Sequence, residues 1–142
     1  MENTIRVVKV EPDKPAVEAR IENTLKAAQQ EVGGYIGVYS LMEPGQARAA
    51  LVYNDDSKVM GLPMNRAIAA SDREEAVDDI ICGTFFICGV DQNTYDFAGL
   101  TDEQVARYLE RYKTPERFSF DPKRNELTVF RGDTAKVYRL GR

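Results

Sequence analysis

Hydrophobic and polar residues alternate at every second position in "TIRVVKV" (4–10), where Ile5, Val7 and partly Val10 face polar partners. They alternate again in "AVEARIE" (16–22), with Val17, Ala19 and Ile21 set against Glu18, Arg20 and Glu22. A period of two marks a half-buried strand. The "EPDKP" between them is a turn, so the two strands are expected to pair antiparallel. The period then lengthens. Leu25, Ala28, Gln29 and Val32 fall on one helical stripe, with Asn23 as the expected cap and Gly33 where a left-handed glycine ends a helix.

Strand character returns in "YIGVYSLM" (35–42) and, after the turn "EPGQA", in "RAALVYN" (48–54). "DDSK" (55–58) predicts a hairpin turn into "VMGLP", where Pro63 confines the return strand to a short, edge or irregular course. Asp72 with Glu75 predicts a short helix or turn, and "IICGTFFICGV" (80–90) reads as one central strand buried on both faces. "LTDEQVARYLERYK" is the clearest helix. Thr101 caps it, Gln104 completes a capping box, Leu100 staples the start, and Val105, Tyr108, Leu109 and Tyr112 form its apolar face. After "TPERFSFDPKR", the strands "ELTVF" and "AKVYRL" flank the turn "RGDT". The fold class is α+β: one domain, a largely antiparallel sheet, two main helices and a C-terminal β-hairpin. Residues 1–112 form the expected core and 113–142 an extension, packed on that core or at an oligomer interface.

Composition narrows the function. At 142 residues the chain is long enough to bury one core. Its net charge of -4 and pI near 5.0 argue against nucleic acid as a partner, which needs a basic footprint. No apolar run approaches the roughly 20 residues of a membrane span, and "MENTIRVVKV" lacks the pattern of a secretory leader, so a cytoplasmic location is expected. Cys82 and Cys88 in one strand would sit ~20 Å apart, too far for a disulfide. The chain has no histidine, which removes Ser-His-Asp and Cys-His catalysis from within it.

Few residues invite a chemical role. Asp72, Glu74, Glu75, Asp78 and Asp79 offer oxygen ligands, but the spacing matches no calcium loop and reads as a solvated face. Asp55 and Asp56 read as turn chemistry, as does Arg131 to Asp133. Gly33, Gly34 and Gly37 precede a strand rather than a helix and make no dinucleotide fingerprint. Tyr35, Tyr39, Tyr53, Phe85 and Phe86 would stack on a nucleobase or, in the commoner case, fill a core. Asn65 and Arg66 fit neither turn nor core patterns. An amide beside a guanidinium recognises a phosphate, a ribose hydroxyl or a purine edge, and equally well closes backbone hydrogen bonds.

"VVKVEPDKPAVEARIENTLKAAQQEVGGYIGVY", "LVYNDDSKVMGLPMNRAI", "DDIICGTFFICGVD" and "LTDEQVARYLERY" together resemble domain of unknown function 3846 over about residues 5 to 112. "VGGYI", Asn54 with "GLPMNR", and the "GTFFI" strand carry the likeness, whereas 113–142 departs from the shorter family pattern. The resemblance implies a small phage, plasmid or conjugative-element protein without an established general activity, and, by genomic company, a role against host defence. Three readings follow. The first is a non-catalytic protein that sequesters a small nucleotide signal, with Asn65, Arg66 and Asn54 on the polar groups and Tyr35 or Tyr53 on the base. The second is a protein-interaction module that blocks or adapts a host or phage protein through its acidic surface and terminal hairpin, with Asn65 and Arg66 structural; the hairpin would also support homo-oligomerisation, by edge pairing or by burial of Phe118, Phe120 and Phe130. The third is a metal-dependent hydrolase using the acidic group. The first two call for no metal and no cofactor.

Overall fold

The computed structural model describes residues 3–41, 43, 48–68 and 77–140. In chain order these form β1 (Thr4–Val10), β2 (Val17–Glu22), α1 (Leu25–Val32), β3 (Ile36–Leu41), β4 (Ala49–Asn54), β5 (Met64–Ile68), β6 (Asp79–Cys82), β7 (Phe85–Val90), β8 (Phe97–Ala98), α2 (Asp102–Arg111), β9 (Glu116–Asp121), β10 (Glu126–Arg131) and β11 (Thr134–Arg139). The main sheet runs β2-β1-β7-β4-β3, with β8 paired to β7, and every pairing is antiparallel. The class is α+β.

Alternation along the strands builds a core on each face. Val8, Val10, Leu51, Phe85 and Ile87 pack with Val105, Tyr108 and Tyr112 from the α2 region and with Ile68 and Ile81 of the β5–β6 hairpin. Ile5, Val7, Val52, Phe86 and Cys88 pack on the other face with Ala28 and Val32 of α1. The central β7 feeds both cores, and its first five residues are buried. A third layer is the sheet β11-β10-β9, whose Leu127, Val129 and Tyr138 cluster with Ala67 of β5. Among the described residues, no helix is long and apolar enough to cross a membrane.

Both helices have the caps that their sequences need. Thr101 and Gln104 form the reciprocal capping box of α2. Gly33 ends α1 at φ 81°, a left-handed conformation that glycine adopts without a side-chain penalty.

Three expectations are corrected and one is extended. Thr24, not Asn23, caps α1 by accepting from the Ala27 amide, while the Asn23 side chain donates to the Phe97 carbonyl. The "DDSK" segment does not close a hairpin between β4 and β5. Those strands do not pair, and β5 pairs with β6 in a separate two-stranded sheet. Residues 55–62 instead coil into consecutive helical turns, with Met60 N–H bonded to Asp56 O and Leu62 N–H to Ser57 O. The run 80–90 is two strands rather than one. Gly83 turns at φ 77°, with the Leu62 side chain packed where a Cβ would stand, and this sends β6 and β7 into different sheets. Finally, the expected C-terminal hairpin is present as β10–β11, and "ERFSFD" adds a third strand that makes the tail a meander. The helix expected around Asp72 and Glu75 lies outside the described residues.

Candidate functional site

Asn65 and Arg66 are the second and third residues of β5, shortly after Pro63, where the β5–β6 register shifts between Met64 and Arg66. A bulge re-aims a side chain, and here it turns both polar residues inward. Both are fully buried. The Asn65 amide donates to Val10 O at 2.9 Å and Gly83 O at 2.8 Å, joining the end of β1 to the β6–β7 turn. Its Oδ1 accepts from Arg66 Nη1 at 2.7 Å. Arg66 Nη2 donates to Lys14 O at 2.7 Å and Tyr112 O at 2.9 Å. The pair thus laces the β1–β2 turn, the end of α2 and two strands together.

A buried guanidinium needs compensation. Burial pulls the Arg66 pKa below its usual value, and the neighbouring Glu116 carboxylate works in the opposite direction. Glu116 is itself buried, accepting from the Ala67 amide at 2.8 Å and from Arg131 Nε. Among the described residues, Arg66 Nε and the Tyr112 hydroxyl find no partner. The ligand role expected of Asn65 and Arg66 therefore meets side chains whose other polar groups are committed to the protein. A ligand would reach them only by opening this knot.

Asn54 is also fully buried. Its Nδ2 donates to Val32 O, the last residue of α1, at 3.1 Å, and to Met60 Sδ at 3.5 Å. Its Oδ1 accepts from the Asp56 amide at 2.8 Å, starting the coil after β4. A Cβ on Gly34 would lie 3.0 Å from Asn54 Nδ2. The "VGGYI" and Asn54 signatures are thus two halves of one joint.

Tyr53 points to the opposite face of β4. Its ring lies over Gly37 of β3, where an added Cβ would come within 2.5 Å of Tyr53 Cζ. Tyr39, two residues along β3, brings its ring centroid to 5.4 Å from that of Tyr53 at an interplanar angle of 33°. The Tyr39 hydroxyl donates to Asp79 Oδ2 at 2.9 Å, and Lys58 Nζ donates to Asp79 Oδ1 at 3.0 Å. Burial, then the Asp79 bond and charge, push the Tyr39 hydroxyl up to about 12. Burial raises Tyr53 as well. Tyr35 precedes β3 and is 71% exposed, and its carbonyl accepts from the Asp55 amide.

The five expected residues therefore occupy separate surroundings rather than one pocket. Asn65 and Arg66 hold the β5 side, Asn54 holds α1, Tyr53 belongs to an open tyrosine cluster, and Tyr35 stands on the surface. Sequence reasoning missed the cluster's polar half, because nothing local links Tyr39 to Asp79 across 40 positions. It also missed Glu43, whose side chain is 1% exposed and accepts from Gln104 Nε2, Arg107 Nη1 and the Tyr108 hydroxyl. The signal was available in part. Gln104, Arg107 and Tyr108 stand at i, i+3 and i+4, three donors on one helical face. Of the acidic group, Asp72, Glu74 and Glu75 lie outside the described residues, and Asp79 is engaged by Tyr39 and Lys58.

The family model of Domain of unknown function (DUF3846) matches residues 5–113, and the chain belongs to that family. The match stops as the three-stranded meander begins. No curated protein and no solved structure matches the chain.

Proposed function

We propose that this DUF3846 protein is a non-catalytic module that works by docking on another protein. One observation carries the reading: an apolar loop held outward on a rigid base. Val59 is 91% exposed and Met60 54% in one short loop, and Met64, the first residue of β5, is 50% exposed. Contiguous exposed apolar side chains on a folded domain mark an interaction surface, and methionine adapts to varied partners. The loop is anchored rather than loose. Asn54 starts it, Leu62 bonds back to Ser57 and packs against Gly83, and Gly83 N–H bonds to Pro63 O. Asp55 and Asp56, both exposed, stand just before this apolar stretch. The matching partner surface is an apolar spot bordered by basic residues. The phage and plasmid company implied by the family resemblance directs the first search toward host defence proteins of the host cytoplasm.

The test compares wild type with a Val59→Asp/Met60→Asp variant as baits in host lysate, followed by reconstitution of any captured protein from purified components. The reading requires a partner that binds wild type directly and loses at least about tenfold in affinity with the variant, the fate of a buried apolar contact that gains a charge. Reconstituted binding that ignores both substitutions, or no direct partner at all, overturns it.

A second reading keeps nucleotide sequestration. The Tyr39–Tyr53 pair beside Lys58 favours it, since aromatic faces stack on a base and an ammonium meets a phosphate. With Asn65 and Arg66 turned inward, Lys58 takes over the phosphate role in this version. Nucleotide released on denaturation, or a melting shift across a cyclic-nucleotide panel that Tyr53→Ala abolishes, supports it. Neither release nor shift rejects it.

A further inference from the structure

The two ends of the main sheet differ. The β2 edge reads Val-Glu-Ala-Arg-Ile-Glu, carrying three charges. The β3 edge reads Ile-Gly-Val-Tyr-Ser-Leu, with no charge and no proline, in unbroken register with β4. Native edges are guarded by charge, proline or bulges, and β3 has none of these.

The hydrogen-bond parity says which groups face outward. Asp55 N–H bonds to Tyr35 O, so odd-numbered residues of this strand bond toward β4. The other side of β4 agrees, because Val90 N–H bonds to Arg48 O and even-numbered β4 residues therefore serve β7. In an antiparallel ladder, bonding direction alternates from residue to residue. The backbone N–H and C=O groups of Ile36, Val38 and Ser40 consequently point away from the sheet. Among the described residues, no strand pairs with that side. Val38 is 49% exposed, and Ser40 is also exposed.

We infer that β3 is the dimer edge of this protein, pairing antiparallel with β3 of a second copy about a two-fold axis at Val38. In that register Val38 faces Val38, and Ile36 faces Ser40 of the other copy. Each pair exchanges two N–H···O bonds, so every outward group on the strand is used. The same register also fixes which side chains meet. It sets Tyr39 of one copy opposite Gly37 of the other, whose Cβ position is covered by the Tyr53 ring of its own chain. The Tyr39–Tyr53 pair thereby extends into an aromatic row across the junction. Val38 meets its own copy on the opposite face. An isologous contact of this kind closes at two copies rather than growing. This inference stands apart from the docking loop, since it involves none of Val59, Met60 or Met64.

The experiment is sedimentation velocity of the full chain over a wide concentration range, with circular dichroism confirming that each variant folds. Wild type is expected to shift from monomer to dimer as concentration rises. Val38→Lys places like charges directly opposite across the ladder and is expected to weaken the dimer by roughly tenfold or more. Ser40→Pro removes an outward N–H without touching the β4 ladder and acts in the same direction. Glu18→Lys on the opposite edge leaves the dimer unchanged. A second measurement stands apart from these substitutions: Val38→Cys in a Cys82→Ser/Cys88→Ser background should crosslink between copies under mild oxidation, and Glu18→Cys in that background should not. A monomer at all concentrations with no crosslink overturns the inference. So does a dimer that persists in Val38→Lys, or one that Phe120→Glu on the C-terminal sheet dissolves while Val38→Lys does not.

Discussion

Asn65 and Arg66, neighbours in sequence, are bonded side chain to side chain, with Arg66 Nη1 donating to Asn65 Oδ1 at 2.7 Å. Adjacent residues of a regular strand point to opposite faces, so this contact depends on the bulge at the start of β5. It turns a dipeptide that looked like a recognition element into a four-way internal brace.

Removing the guanidinium strands several carbonyls and takes one buried positive charge from beside Glu116, which keeps its ion pair with Arg131. Arg66→Met is therefore expected to cost about 2–4 kcal/mol in urea unfolding, the scale of leaving two or more buried carbonyls unpaired. Asn65→Ala unpairs Val10 O and Gly83 O together, for about 2–3 kcal/mol. A loss below about 1 kcal/mol for Arg66→Met would mean that the brace is not structural, and would return Arg66 to the ligand-binding candidates.

Two tyrosines four residues apart on the α2 segment should respond in opposite ways to loss of the hydroxyl. The Tyr108 hydroxyl donates to the buried Glu43, and the Tyr112 hydroxyl has no partner among the described residues. Tyr108→Phe is expected to destabilise by about 1–3 kcal/mol, and Tyr112→Phe to be neutral or stabilising by up to about 1 kcal/mol. Equal losses in thermal melts of the two variants would contradict this assignment.

How far the sequence reaches is clearest at specific residues. Helix α2 was fully legible, because Thr101, Gln104 and the Val105–Tyr108–Tyr112 stripe are local signals. The antiparallel β1–β2 pair was legible for the same reason. Family likeness marked "GLPMNR" and Asn54 as special, but not why. Their partners are Val10, Lys14, Gly83, Tyr112 and Val32, contacts set by tertiary topology rather than by spacing. The apolar run 80–90 misled because most of its residues are buried whichever sheet they join. Only the positive φ at Gly83 divides it, and a glycine inside a hydrophobic run does not announce its torsion angle.

Gly37 is fixed by its neighbour's ring. A methyl group there would overlap Tyr53 Cζ, so Tyr53 must move and lose its packing beside Tyr39. Gly37→Ala is expected to cost about 1–3 kcal/mol, typical of overpacking. In a Tyr53→Ala background the same substitution should cost well under half as much. A double-mutant cycle in urea checks this, and strict additivity would show that Tyr53 is not the obstacle.

Tyr39 provides a pH signature. Burial and then Asp79 hold its hydroxyl at about 12, above the ordinary 10.0. The folded pKa is the raised one, so the unfolded chain releases this proton first. The resulting stability is complete below pH 10 and is lost as pH climbs from 10 toward 12. Tyr53, Tyr108 and Tyr112 are raised in the same direction, chiefly by burial, and contribute to the same decline. Tyr39→Phe should accordingly make the alkaline loss of stability shallower without abolishing it. Asp79→Asn removes the charge beside the phenol and should bring Tyr39 ionisation back toward the ordinary value, seen as earlier tyrosinate absorbance in the folded protein. If the absorbance titration of Asp79→Asn overlays wild type, the Tyr39–Asp79 bond does not hold in solution.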